Sequence, residues 1–266
     1  MKKYYILLLS LLFLMSCSSN SVVENSFSSY ELNQKVKSVS VLIYEAESKF
    51  GEIVKGDLAY NPWETYNASF NKDGFITELT NFDDDGDIYS KHIYTYNDNS
   101  LLTQLADYDE DGRLEKKQKY SYDGKKLSSL IIYDKDGSET SRFEYEYDGA
   151  RIIEGRCFEG KNLSSRFENE YHTGKILAKQ TSFDADGNVI YEVQYDKKGR
   201  FIKQKSENIS VEIEYNEYGL RSSIKINDDI TYFEYEYDKK KNWIKRISYE
   251  GEAKEPDEIS ERVINY

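Results

Sequence analysis

The sequence predicts an all-β fold: a single array of about 15 antiparallel strands in consecutive hairpins of period about 25 residues, coiled into a curved sheet, spiral or shell-like solenoid. Three observations carry this expectation. Aromatic residues recur at near-constant spacing, aspartate–glycine turns arrive about every twelve residues, and polar and apolar residues alternate between them. That is the pattern of short strands joined by tight hairpins.

Tyr96, Tyr122, Tyr147, Tyr171, Tyr195, Tyr215 and Tyr237 form one series, spaced by 26, 25, 24, 24, 20 and 22 residues. Phe82, Tyr108, Tyr133, Phe158 and Phe183 form a second, spaced by 26, 25, 25 and 25. Each aromatic runs into a turn such as Asp109-Glu110-Asp111-Gly112, Asp134-Lys135-Asp136-Gly137 or Asp184-Ala185-Asp186-Gly187. The leading Asp can hydrogen-bond the backbone two residues on, and the Gly takes φ > 0 without steric cost. A type I turn closed by a glycine bulge joins antiparallel strands in this way. Frequent glycine among β-branched and aromatic residues works against helix.

Alternation assigns the strand faces. Ile209, Val211, Ile213 and Tyr215 oppose Ser210, Glu212 and Glu214; Phe143, Tyr145 and Tyr147 oppose Glu144 and Glu146; Thr231, Phe233, Tyr235 and Tyr237 oppose Tyr232, Glu234 and Glu236. Pairs six residues apart (Leu114 and Tyr120, Leu127 and Tyr133, Ile152 and Phe158) share a face on the same count. An aromatic face of this length cannot stay in water, so the array is expected to coil around it. Val36 to Ala46 reads as an opening strand, with Trp63 capping that end.

Two segments precede the array. Lys2 and Lys3 lead an apolar run from Tyr4 to Met15, broken only by Ser10. It falls short of the ~20 residues that span a bilayer as a helix, so residues 1–16 read as a secretory signal peptide. Leu14-Met15-Ser16-Cys17 resembles the lipobox of bacterial lipoproteins. The resemblance implies that Cys17 becomes the mature N-terminus and carries a diacylglycerol with acyl chains such as palmitate, which partition together far better than one chain. A plain signal peptide with a chance cysteine is the competing reading. The stretch from Ser18 to Tyr30 has six serines and one charge and reads as a flexible tether. The expected organisation is therefore signal peptide 1–16, lipidated Cys17 and tether 17–30, and hairpin-repeat domain 31–266. The expected location is a bacterial cell envelope, lipid-anchored to a membrane, with the outer membrane preferred.

Removing the two lysines of the signal takes the net charge from −13 to −15. Such a surface repels phosphate backbones and anionic headgroups, which excludes nucleic acid as a partner. Cys157 is left without a cysteine partner and reads as a small buried residue.

Tyr120-Ser121-Tyr122-Asp123-Gly124 and Val193-Gln194-Tyr195-Asp196-Lys197-Lys198-Gly199-Arg200 resemble the tyrosine–aspartate (YD) repeat of RHS-type proteins, over roughly residues 66–266. Tyr235-Glu236-Tyr237-Asp238, Asn242-Trp243 and the closing Arg262-Val263-Ile264-Asn265-Tyr266 are similar to short lipoproteins of that group. The resemblance implies a coiled β shell. This chain is far shorter than the large members and lacks their proline-containing core motif, so a toxin-delivery role does not carry over.

The sequence nominates no catalytic residue, no cofactor and no metal ligand. Asp107-Tyr108-Asp109-Glu110-Asp111-Gly112 matches half a calcium loop, but its twelfth position is Gln118, where a bidentate Glu is needed. Turn chemistry accounts for those aspartates. His92 and His172, the two histidines, fall in different repeats, and His92 shares a face with Tyr94 and Tyr96 as a packed residue would. The function expected is a non-enzymatic envelope lipoprotein, a β-repeat scaffold or binding module for a protein or carbohydrate ligand, with Tyr232, Trp63 and Trp243 as candidate sugar-stacking rings. The alternative is a glycan-active hydrolase with a carboxylate pair ~5–10 Å apart in a groove. A third reading is assembly through an unpaired edge strand at either end of the array.

Overall fold

A computed structural model describes residues 29–59, 64–83 and 85–266. The signal peptide, Cys17 and Trp63 lie outside the described residues. Nineteen strands belong to one sheet. They are β1 Ser38–Lys49, β2 Glu52–Leu58, β3 Tyr66–Phe70, β4 Ile76–Phe82, β5 Ile88–Tyr96, β6 Leu102–Tyr108, β7 Leu114–Asp123, β8 Lys126–Asp134, β9 Glu139–Asp148 and β10 Arg151–Glu159. The chain continues through β11 Asn162–Tyr171, β12 Leu177–Asp184, β13 Val189–Tyr195, β14 Phe201–Ser206, β15 Ser210–Tyr215, β16 Arg221–Ile226, β17 Asp229–Tyr237, β18 Trp243–Glu250 and β19 Glu255–Asn265.

The all-β class holds, but the expected open coil or solenoid is corrected: the strand circuit closes. Consecutive strands from β3 to β19 are neighbours. β1 then takes β19 on one side, Ser38 opposite Asn265 through Glu45 opposite Glu258, and β3 on the other, Ser38 opposite Ser69 through Val41 opposite Tyr66. The far half of β1 pairs with β2, which is a hairpin added to the ring. The remaining eighteen strands form a closed antiparallel β-barrel circuit. The physical reason is edge satisfaction. An open array ends in two rows of unpaired N–H and C=O groups, and one strand laid between both ends pairs them all. Closure also overturns the repeat-solenoid description, the coiled open shell of the RHS-type proteins, and the expected assembly through a free edge at the ends of the array.

The strand count rises because turns open with Asn as well as Asp. Asn71, Asn97 and Asn216 do what Asp83, Asp109, Asp134, Asp184, Asp196 and Asp238 do: one side-chain oxygen accepts from the N–H groups two and four residues on. At Asp184 the Gly187 N–H returns to the Asp184 carbonyl at 3.2 Å and Gly187 has φ 88°, the expected turn closed by a glycine bulge.

The described chain falls into two compact units, one of Tyr96–Leu105 with Lys116–Glu212, the other of the segment up to Thr95 with Ala106–Glu115 and Ile213–Tyr266. In the first, Leu105, Leu130, Ile152, Leu177, Val193 and Val211 are buried. In the second, Val39, Val41, Ile43, Ala68, Phe70, Leu79 and Trp243 form the core, with Tyr30, Tyr66, Tyr94, Tyr235 and Tyr237 packed on it. Tyr30, placed by the sequence in the tether, meets Tyr66 and Phe70 edge-on at 5.7 and 5.4 Å.

Phe143, Tyr145 and Tyr147 are half-buried while Glu144 and Glu146 are exposed, as alternation requires. The six-residue rule fails at Phe158. A bulge between Ile152 and Glu154 shifts parity, so Cys157 opposes Phe143 while Phe158 opposes Arg142, on the face of Glu144. Phe183 likewise opposes Arg166, and Tyr133 opposes Lys117. Tyr133, Phe158 and Phe183 of the second aromatic series therefore lie on the charged face, where cations cover them: Arg166 stands 4.0 Å from the Phe183 ring centroid, Lys119 5.3 Å from Tyr133 and Arg142 5.8 Å from Phe158. The first series faces the core and is tied by its hydroxyls. Tyr122, Tyr147 and Tyr171 donate to the carbonyls of Leu102, Leu127 and Ile152 at 2.8, 2.9 and 2.7 Å.

Candidate functional site

The core face of β16–β19, in the second unit, carries buried arginines, whereas the other buried polar side chains of the described residues are uncharged. Arg246 on β18 faces Ser260 on β19 across the ladder, and Arg262 lies two residues further on the same face. Both arginines are buried. Arg246 pairs with Glu64 at 2.5 Å and donates to Ser260 Oγ at 2.9 Å. The Arg262 guanidinium lies 3.6 Å from the Trp243 ring centroid, with the Tyr66 hydroxyl beside it. Arg221 and Arg246 stand 5.8 and 5.4 Å from the Phe233 ring centroid. The Tyr235 hydroxyl donates to the Arg221 carbonyl at 2.8 Å.

Burial works against charge here, and the neighbours decide each outcome. Glu64 is desolvated, yet the Arg246 and Arg221 charges hold its carboxyl below the usual range. Arg246 is desolvated too, but Glu64 pushes its guanidinium upward. Arg262 has no carboxylate bonded to it among the described residues, and burial draws it down. Burial raises Tyr66, and raises Tyr235 to about 12. Two buried guanidiniums (Arg246, Arg262) and the partly exposed Arg221 thus stand near two carboxylates (Glu31, Glu64). The arrangement suits holding an anion. Sequence reasoning missed it. The available signal was arginine at positions 246 and 262 sharing a strand face with buried serines.

The structure places His92 in a second polar cluster of the same unit. Its Nδ1 is 2.7 Å from Asp107 Oδ1, and its Nε2 is 3.3 Å from both Ser90 Oγ and Asn81 Nδ2. Carboxylate, imidazole and hydroxyl stand in the order of an acyl-transfer triad, but the surroundings differ from one. Ser90 lies mid-strand opposite Asn81. A strand with neighbours on both sides commits its N–H groups to the ladder, leaving no pair to stabilise an oxyanion. His172 is in the other unit, its Nε2 3.0 Å from the Tyr195 carbonyl.

In the half calcium loop that turn chemistry already explains, Asp109 Oδ1 accepts from the N–H groups of Asp111 and Arg113 at 3.0 and 2.8 Å, so this carboxylate is engaged by its own turn. Among the described residues, the carboxyls whose ionisation the fold shifts (Glu64, Asp184, Asp196 and Asp238) are all held down. A glycoside hydrolase needs one raised. Cys157 is buried and unpaired, and burial pushes its thiol up. Trp243 is buried rather than displayed to a sugar.

No family model matches the chain, and no curated protein matches it. Among solved structures, it is similar to a porin-like protein from Bacteroides uniformis at 10% identity and TM-score 0.44, covering 86% of this chain and 96% of that one. A porin-like protein from Bacteroides vulgatus aligns at 12% identity and TM-score 0.23, covering 88% and 99%. S. aureus TarM aligns at 10% identity and TM-score 0.20, over 43% of this chain and 19% of that one. These likenesses assign no function; the ring closure rests on the strand pairing itself.

Proposed function

We propose that the chain is a non-enzymatic cell-envelope protein, anchored through lipid on Cys17, whose β domain is a water-facing binding module. The carrying observation is which residues face solvent. Cross-strand ion pairs run over that face: Arg156 with Glu146 at 3.0 Å, Lys245 with Glu236 at 3.0 Å, Lys91 with Glu78 at 3.0 Å and Lys55 with Glu261 at 2.9 Å. A barrel embedded in lipid turns an apolar band outward and a polar surface inward. Ion pairs along exposed strand faces above a buried apolar core support a reading in which contact with the membrane falls to the N-terminus. The arginine face of β16–β19 is where such a domain would hold a ligand, since it brings the buried Arg246 and Arg262 together with the Trp243 and Phe233 rings.

The test is metabolic labelling with an alkyne fatty acid, followed by fractionation. The native chain takes label and sediments with membranes; Cys17→Ser takes none and is released. A Cys17→Ser protein that still requires detergent to leave the membrane defeats the reading.

A further inference from the structure

The segment leading into β1 crosses the arginine face. The Glu31 carboxylate accepts from the Trp243 indole N–H at 2.7 Å, and its other oxygen lies 3.9 Å from Arg221 Nε. The carbonyls of Tyr30 and Glu31 accept from the Arg262 guanidinium at 3.0 and 3.5 Å. Asn33 fastens the segment down, its N–H donating to Asn242 Oδ1 at 2.7 Å and its amide to the Lys241 carbonyl at 2.5 Å. What the face receives is a peptide: one carboxylate, two successive carbonyls and a flanking aromatic ring.

Three features set this apart from ordinary packing. Glu31 has φ 54°, a left-handed backbone that a non-glycine residue keeps only where its surroundings impose it. Arg246 Nε and Arg262 Nε, both on buried side chains, have no acceptor among the described residues. Of the two buried arginines, Arg246 has the Glu64 carboxylate, whereas Arg262 forms no ion pair among the described residues, and a buried charge without a paired counter-ion is costly. The resident segment occupies the face without satisfying it.

We propose that the Arg221, Arg246 and Arg262 face with Trp243 is a binding site for a short acidic peptide, and that Tyr30-Glu31 is its resident occupant, displaced when such a peptide binds. The proposal rests on the binding-module reading and names its ligand class. It also gives the occupant a position next to the tether, so that ligand entry frees the chain leading toward Cys17.

The test uses the mature chain with Cys17→Ser and with Trp63→Phe, which leaves Trp243 as the sole indole. Two blocked peptides are titrated, Tyr-Glu-Leu-Asn and Tyr-Gln-Leu-Asn, against the parent and against Glu31→Gln. Glu31→Gln is expected to bind the Glu peptide about tenfold more tightly than the Gln peptide, and about tenfold more tightly than the parent does. Adding Arg262→Met removes the preference. A second measurement does not depend on any Glu31 variant folding: in the parent, millimolar Glu peptide speeds amide hydrogen exchange across residues 30–36, and the Gln peptide does not. Equal binding of the two peptides by Glu31→Gln, or unchanged exchange at residues 30–36, overturns the proposal. Either result leaves the Cys17 labelling test untouched, so the two readings fail separately.

Discussion

Replacing Gly155 with alanine isolates one steric contact in the first unit. Gly155 lies on β10 opposite Tyr145 of β9 and Phe167 of β11, and the Phe167 ring lies over its Cα. An added Cβ would stand 2.3 Å from both Cε1 and Cζ of that ring, against an ordinary contact near 3.5–4.0 Å. Gly155 does not use a positive φ, so alanine brings no backbone strain and narrows the unfolded ensemble by about 0.4–1 kcal/mol in its favour. Overpacking costs about 1–3 kcal/mol. Tyr145 stands beside the ring, 6.4 Å between centroids, and narrows the room into which it can move. The net expectation is a destabilisation centred on ~1 kcal/mol, within about 0–2.6 kcal/mol, or up to roughly 10 °C in Tm for a domain of this size. Urea unfolding followed by far-ultraviolet circular dichroism measures it. Pairing the change with Phe167→Ala removes the clash, so the double-mutant cycle should show a coupling of about 1 kcal/mol or more. A Gly155→Ala protein more stable than the parent, or an additive cycle, refutes the packing argument.

Tyr147→Phe deletes the hydroxyl bonded to the Leu127 carbonyl and should cost about 1 kcal/mol in the same melt, as should the equivalent change at Tyr122 or Tyr171. Glu64→Gln strands the buried Arg246 charge and should cost about 3–5 kcal/mol, while Glu64→Leu with Arg246→Met should recover most of that loss. Asp184 is held below the usual carboxylate range by Asn188, and Asp196, despite some desolvation, by Arg200 and the turn N–H groups. Their folded states bind protons more weakly than the unfolded chain, so this stability is present above about pH 4 and is lost as pH falls below it. Asp196→Asn keeps the acceptor that Asn216 supplies in its own turn, and should flatten the acid limb of a pH–stability curve. Burial raises Tyr66 and Tyr195, and takes Tyr235 to about 12. Folded tyrosines here keep their protons longer than unfolded ones, so stability should fall as pH climbs above about 10.

Hairpins and their turns were legible because both signals are local. The Asp-x-x-Gly turn at residues 184–187 and the alternation of Phe143, Tyr145 and Tyr147 with Glu144 and Glu146 are written within a few residues. Parity past a bulge was not legible. The extra residue between Ile152 and Glu154 leaves no mark in composition, yet it sends Phe158 to the opposite face from Ile152. Closure was invisible for a different reason: nothing near Val39 indicates that its partner is Ile264. The arginine face was hidden because arginine on a strand reads as solvent-facing, and only the Glu64 carboxylate and the Trp243 ring together make its burial tolerable.

The seam between β1 and β19 joins Ser38 to Asn265, so one border of β1, whose other border pairs with β2 and β3, has to wait for β19 as its neighbour. A polypeptide delivered N-terminus first must hold β1 without that neighbour until β19 emerges, and contacts so distant along the chain are slow to form. During that interval the exposed strand borders invite pairing with other molecules. Refolding yield should therefore fall as protein concentration rises, and the concentration at which refolding gives way to aggregation measures how long that seam stays open.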